Sequence, residues 1–412
     1  MSQARLIRYG QRKLESILRQ INELKSSDFP HKDSREALDH LEQFFRANLT
    51  RIEKLPPAAD AKLVEQLCVQ INYDIFLYLP VLGIIIRSTN VRNPFEFFDP
   101  LIRLSRQVLG SDAKLILSSE WDFSPMTYPL VFDALPGFVL LGLPTVESEN
   151  ALAIPLAGHE LGHSLWKRAK IEDAIQADLQ SIVKANYVSN WAEFDTAFGK
   201  KHDVTQIDSD MFLRTTWAAS YRLARSQSEE VFCDILGVRL FGEAFLDAFE
   251  YLLAPSLGGH RDLRYPALEK RAIYLTKAAA KFGFQSALDY PDVFKDVTPN
   301  LDKQQAFLVR MADISTEKMV DLLLTQVQSI GVANKLPMPE RSATEKVKQR
   351  FTVGVPADGY NNLADIVAAG WHLYRVEPKP GMANTDALTF EDLNEVMLKT
   401  IEVSEYHLRT TR

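Results

Sequence analysis

The chain has 412 residues, 46% hydrophobic and 25% charged, with a net charge of −7 at pH 7. These are globular values, enough for two or three subdomains with cores of their own. An acidic balance without a basic tract argues against nucleic acid as a partner. Two cysteines give no disulfide framework, which fits a reducing, cytoplasmic setting.

Met1-Ser2-Gln3-Ala4-Arg5 lacks the apolar core of a secretion signal. Residues 5–26 then carry Leu6, Ile7, Leu14, Ile17, Leu18, Ile21 and Leu24 near helical spacing, which predicts an amphipathic helix. Further helices are expected over 34–54 and 59–88, separated by Pro56-Pro57. The longest apolar run, Ile75 to Ile86, contains Pro80 and falls short of the roughly 20 residues that span a bilayer. No membrane partner is therefore expected. Lys114–Ser118 and the Pro-bounded run Pro136–Pro144 read as strands, the second suited to a sheet edge by its prolines.

Residues 158–163 read Gly-His-Glu-Leu-Gly-His, which contains a complete HExxH. Positions i and i+4 lie one above the other on a helix. His159 and His163 can thus offer two imidazole nitrogens to one zinc ion. Glu160 is placed to act on a metal-bound water as a general base without being a ligand. Leu161 and Gly162 read as permissive positions.

Two histidines leave a tetrahedral zinc in need of one more protein group and an open water position. After a polar, loop-like stretch over 200–210, expected to be a flexible flap, residues 228–237 read Ser-Glu-Glu-Val-Phe-Cys-Asp-Ile-Leu-Gly. Glu230 and Asp234 are again spaced i, i+4, within an apolar stretch that looks like a buried helix. A carboxylate pair there is costly unless something positive meets it. Zinc would do so, with Glu230 as ligand and Asp234 fixing the tautomer of a ligating histidine. Arg239 or Arg222 would serve equally as a plain ionic partner. Glu229 competes for the ligand role but has no acidic partner four residues on.

The loop-like stretch Gly258 to Pro266 follows. A zinc peptidase needs a donor aimed at the oxyanion. His260 and Tyr265 are the candidates, with Tyr221 a third. Beyond residue 301 helices return, interrupted at Lys335–Pro339, then over Asp365–Tyr374 and Glu391–Leu408.

HExxH on one helix and ExxxD on a later one resemble the gluzincin group of zinc metallopeptidases, the thermolysin-like pattern. The resemblance covers at most residues 130–275. It implies ligands His159, His163 and Glu230, one zinc per chain, Glu160 as base, support from Asp234, and a peptide or protein substrate. Related enzymes carry a His-Pro step followed by Arg; here Tyr265 precedes the proline, with Arg271 further on. The expected fold is α+β and predominantly helical: a helical subdomain over 1–111, a zincin-like core with a small edge-strand sheet over 112–285, and a helical region over 286–412. The alternative function is a zinc-binding regulatory or interaction protein on the same scaffold with little turnover.

Overall fold

The computed structural model describes residues 3–56, 59–89, 95–120, 126–127, 134–147, 149–199, 202–256, 260–297, 299–359, 361–375 and 388–410. The chain divides into two compact units, residues 1–106 with 110–149 and residues 107–109 with 150–412.

Three helices open the first unit: α1 (Gln3–Leu24), α2 (Lys32–Glu53) and α3 (Ala61–Arg87), followed by α4 (Phe95–Leu109). Asp60 caps α3 by accepting from the backbone N–H of Lys62 and Leu63. Leu14, Ile17 and Ile21 of α1 meet Leu38, Leu41 and Phe45 of α2 and Ile71, Tyr78 and Ile85 of α3 in one core. Three strands complete the unit: β1 (Lys114–Glu120), β2 (Met126–Thr127) and β3 (Phe138–Pro144), in the order β1-β3-β2. Ile116 and Leu140 join the helical core, so the sheet goes with the N-terminal helices and not with the HExxH segment.

The expected edge strand is in fact central. β3 runs parallel to β1 along its whole length, and Leu141 and Gly142 also pair with β2. Its Val139 to Pro144 are all buried, as in strands covered on both faces. Pro136 precedes the strand and Pro144 is its last residue, so neither removes a donor from its middle.

The apolar run at Ile75–Ile86 is part of a 27-residue helix that continues through Pro80. By length and composition alone α3 is sufficient to cross a membrane. One side of it nevertheless belongs to the core, where Asp74 accepts from the side chains of Asn48 and Gln70.

Among the described residues the second unit is built of helices: α5 (Leu156–Arg168), α6 (Ile171–Ser189), α7 (Trp191–Phe198), α8 (Met211–Phe241), α9 (Glu243–Leu253), α10 (Leu268–Phe282), α11 (Lys303–Ala333), α12 (Arg341–Thr352), α13 (Leu363–Tyr374) and α14 (Phe390–Thr410). The 31-residue α8 is the axis, with α5, α6, α10 and α11 packed around it. Asp210 caps its start and Gly242, at φ 59°, turns the chain at its end. Of the expected flap, residues 200–201 lie outside the described ones. Residues 202–210 form capped turns, with His202 bonded to Asp210 and stacked on Phe212. Overall the fold is predominantly helical with one small sheet.

Candidate metal centre

The two motifs meet because glycines on α5 let it cross α8 at close range. A Cβ added at Gly162 would lie 2.7 Å from Cys233 Cα, and one at Gly158 3.1 Å from Gly237 Cα. Gly237 is itself closed off, since a Cβ there would reach Phe245 at 2.2 Å. Gly158 and Gly162 are one helical turn apart, as are Cys233 and Gly237. Gly162, read from sequence as permissive, is instead required by the crossing. Three of the four contact residues have a motif residue beside them: His159 follows Gly158, His163 follows Gly162, and Asp234 follows Cys233.

Across this seam His159 Nε2 is 3.2 Å from Glu230 Oε2, and His163 Nε2 is 3.8 Å from Glu230 Oε1. Both Nδ1 atoms are held from behind. His159 Nδ1 lies 2.8 Å from Asp234 Oδ1, and His163 Nδ1 lies 3.1 Å from Glu229 Oε1. Glu229, weighed from sequence as a ligand, therefore sits behind an imidazole, as Asp234 does. Each supporting carboxylate has its own cation. Arg271 of α10 donates from Nε and Nη2 to the two oxygens of Asp234, both at 2.8 Å, and Lys167 reaches Glu229 at 3.6 Å. Arg239 and Arg222 do not fill this role. Arg239 donates to the carbonyls of Leu336 and Pro337, and Arg222 is exposed.

The charges respond to this packing. Burial works against the charged form of His159, but its bond to Asp234 and the nearby Glu230 carboxylate outweigh that and push it up to about 10. Burial would raise Asp234, yet the Arg271 guanidinium and the His159 bond hold it below the usual carboxylate range. Glu229 is likewise lowered against burial, by His163 and Lys167. Glu230 Oε2 is buried without a hydrogen-bond partner: it is close to His159 Nε2, but not along a hydrogen-bonding direction. Such an orphaned anion is expensive unless a cation completes it.

A tetrahedral zinc with bonds of about 2.0–2.1 Å holds its ligand atoms about 3.3 Å apart. The two imidazole-to-carboxylate separations bracket that value, and the donor set of two imidazoles and one carboxylate suits zinc. Cys233 offers a competing donor, since one atom from each of His159, His163 and Cys233 lie within 4.8 Å of one another. Its sulfur sits in the seam against Gly162, where burial raises the thiol well above its ordinary value; a metal ion here could draw on Glu230 or on Cys233 as its third donor.

Glu160 is buried and lies within electrostatic reach of His159 and Tyr265. Tyr265 covers the Arg271 guanidinium, 5.2 Å from its ring centre, while Phe249 covers it at 4.8 Å. Burial, reinforced by Glu230 and Glu160, pushes the Tyr265 phenol up to about 12. The backbone there is clamped by Arg261, which donates to Tyr265 O at 3.0 and 2.9 Å and forms a double contact with Asp313. His260 is placed differently: it is exposed and bridges Val297 through the backbone. Tyr221 lies nine residues before Glu230 on α8, about 13 Å along the axis, near Glu172 and Arg225.

Arg271, Lys167, Phe249 and the glycine seam carry no motif, and only the fold brings them to the cluster. Compared with protein-family models, with curated proteins and with solved structures, the chain matches none.

Proposed function

We propose that this chain is a zinc-dependent metallopeptidase of gluzincin type, with His159, His163 and Glu230 holding the ion. One arrangement carries this reading. Two imidazoles, each fixed through Nδ1 by a carboxylate, turn Nε2 toward the Glu230 carboxylate, whose buried Oε2 has no hydrogen-bond partner. When bound, zinc lowers the pKa of its water towards 7 and polarises the scissile carbonyl.

The chain's own groups do the rest. Asp234 and Glu229 accept the Nδ1–H of His159 and His163, which turns each Nε2 to the metal position; His159 Nε2 would give up its proton as a metal ion bound. Glu160 takes the proton of the attacking water on its carboxylate and delivers it to the leaving amine nitrogen. Tyr265 Oη donates to the oxyanion of the tetrahedral intermediate, its backbone steadied by Arg261 and its ring by Arg271. His260, exposed, has no place in this scheme.

A second reading, a zinc-holding regulatory or interaction protein, draws support from the closed character of the cluster. The side chains of His159 and Glu230 are only 12% and 11% exposed, and Cys233 is near enough to be a fourth donor. Closed four-ligand sites are structural, whereas catalytic ones keep a position open.

Zinc content and hydrolysis of a peptide library, measured on wild type, Glu160→Gln and Glu230→Ala, separate the two. Peptidase function requires about one zinc per chain in wild type and in Glu160→Gln, a loss of turnover of about 10²–10⁴-fold in Glu160→Gln, and metal loss in Glu230→Ala. Undiminished hydrolysis by Glu160→Gln would refute the base assignment. A fourth protein, Cys233→Ala, tests the regulatory reading: zinc retained in wild type without turnover and lost in Cys233→Ala would favour it.

A further inference from the structure

Away from the metal centre, the N-terminal unit exposes a surface in which a basic stripe lies beside an apolar one. On α3 the outward arc carries Val69, Tyr73, Phe76 and Leu79, which are 61%, 60%, 76% and 48% exposed, together with exposed Pro80. These positions recur every three to four residues and span about 15 Å of helix. From Glu65 to Arg87 the acidic residues are Glu65, exposed one turn before Val69 at the start of the arc, and Asp74, which is buried. Alongside runs α1, whose Arg5, Arg8, Tyr9, Arg12 and Lys13 are all exposed. Lys13 Nζ donates to Asn72 Oδ1 at 2.8 Å, which ties the basic stripe to the apolar arc between Val69 and Phe76. Glu15 is the one acid among residues 3–16.

We infer that this face docks on an anionic lipid bilayer, with the α3 arc entering the headgroup boundary and the α1 cations resting on the phosphates. Amphipathic helices that lie in the interface pair an apolar, aromatic face with flanking Lys and Arg in this way. A second copy of the chain fits less well, because a two-fold contact through the same patch brings its cations together. Nucleic acid would use the cations but not the aliphatic part of the arc. The expectation of no membrane partner rested on the length of the longest apolar run, which bears on crossing a bilayer and not on lying against one.

The test is sedimentation of the full chain with phosphatidylcholine vesicles, with and without phosphatidylserine. Two variants accompany it, Tyr73→Ser/Phe76→Ser and Arg5→Gln/Arg8→Gln/Arg12→Gln. All five positions are exposed, so helical circular dichroism should not change. The expected result is binding that needs phosphatidylserine and weakens about fivefold per arginine removed. It should fall away at about 0.5 M salt, where screening is short-ranged, and be lost in the serine variant. Equal binding to neutral vesicles, binding that both variants retain, or no binding at all would overturn the inference. So would a dimer that the serine variant dissociates in a chain that ignores vesicles.

Discussion

Two aspartates of the second unit, Asp234 buried and Asp247 partly so, each face an arginine, and their carboxyl groups respond in opposite directions. Asp234 is held below the usual range, whereas Asp247 is pushed up to about 7. Burial raises both; the difference lies in what is set against it. Asp234 receives two donors from one guanidinium that is itself enclosed, 7% exposed, and a third contact from His159. Asp247 meets Arg375 at a single guanidinium nitrogen, on a side chain that is 45% exposed, and Glu250 and Glu243 on its own helix add like charge. A buried carboxylate stays ionised where the cation is buried with it and doubly bonded. An arginine left half in water does not achieve this.

The comparison breaks most sharply at Arg271→Met. That change strands Asp234 in the interior and should cost about 3–5 kcal/mol, read as a lower urea midpoint at unchanged slope. A cost below about 1 kcal/mol would mean that Asp234 takes up a proton readily and that the pair is not the anchor described. Asp247→Asn probes the other member through pH. The Asp247 pKa in the folded state lies above the unfolded value of about 3.9. The folded chain therefore binds the extra proton between about pH 4 and 7, and this group removes stability as pH rises through that window. The sum is at most about 4 kcal/mol. Wild type minus Asp247→Asn should show that downward slope, and a flat difference would remove the distinction between the two sites.

Asp234→Asn sharpens the functional side. With His159 no longer held by a charged acceptor, zinc affinity should fall about 10–100-fold in a chelator competition, while the same change at Asp247 should leave it untouched. The smallest effect is expected from Arg375→Met. Its half-exposed pair with Asp247 should be worth no more than about 1 kcal/mol in thermal unfolding, and a loss as large as that of Arg271→Met would erase the contrast.

Much of this was legible in one dimension because helical periodicity is local. The paired spacings of His159 with His163 and Glu230 with Asp234 declare a shared face wherever the helices go, and the N-terminal helices announced themselves by their apolar repeat. The cation opposite Asp234 was not legible. Arg239 and Arg222 are near it in sequence on α8, but Arg271 arrives from α10 through tertiary packing alone. The sheet order was missed for a related reason, since prolines at the ends of a strand resemble prolines at an edge until the partners are known. His260 and Tyr265 are only five residues apart in the same loop region, yet one is solvent-facing and the other lies over Arg271; nothing in their spacing separates them.

The glycine seam has a further consequence for how this chain can change over time. The span between the histidine pair and Glu230 is set by atoms that are missing: a methyl group at Gly162 would lie 2.7 Å from Cys233 Cα and wedge α5 from α8, one at Gly158 would demand a smaller shift, and one at Gly237 would strike the Phe245 ring of α9. On the proposed function, His159, His163 or Glu230 could be exchanged and leave a folded but inert protein. Gly162 has no such route, because a methyl group there moves the distances across the seam together, although the residue itself would take no part in the chemistry.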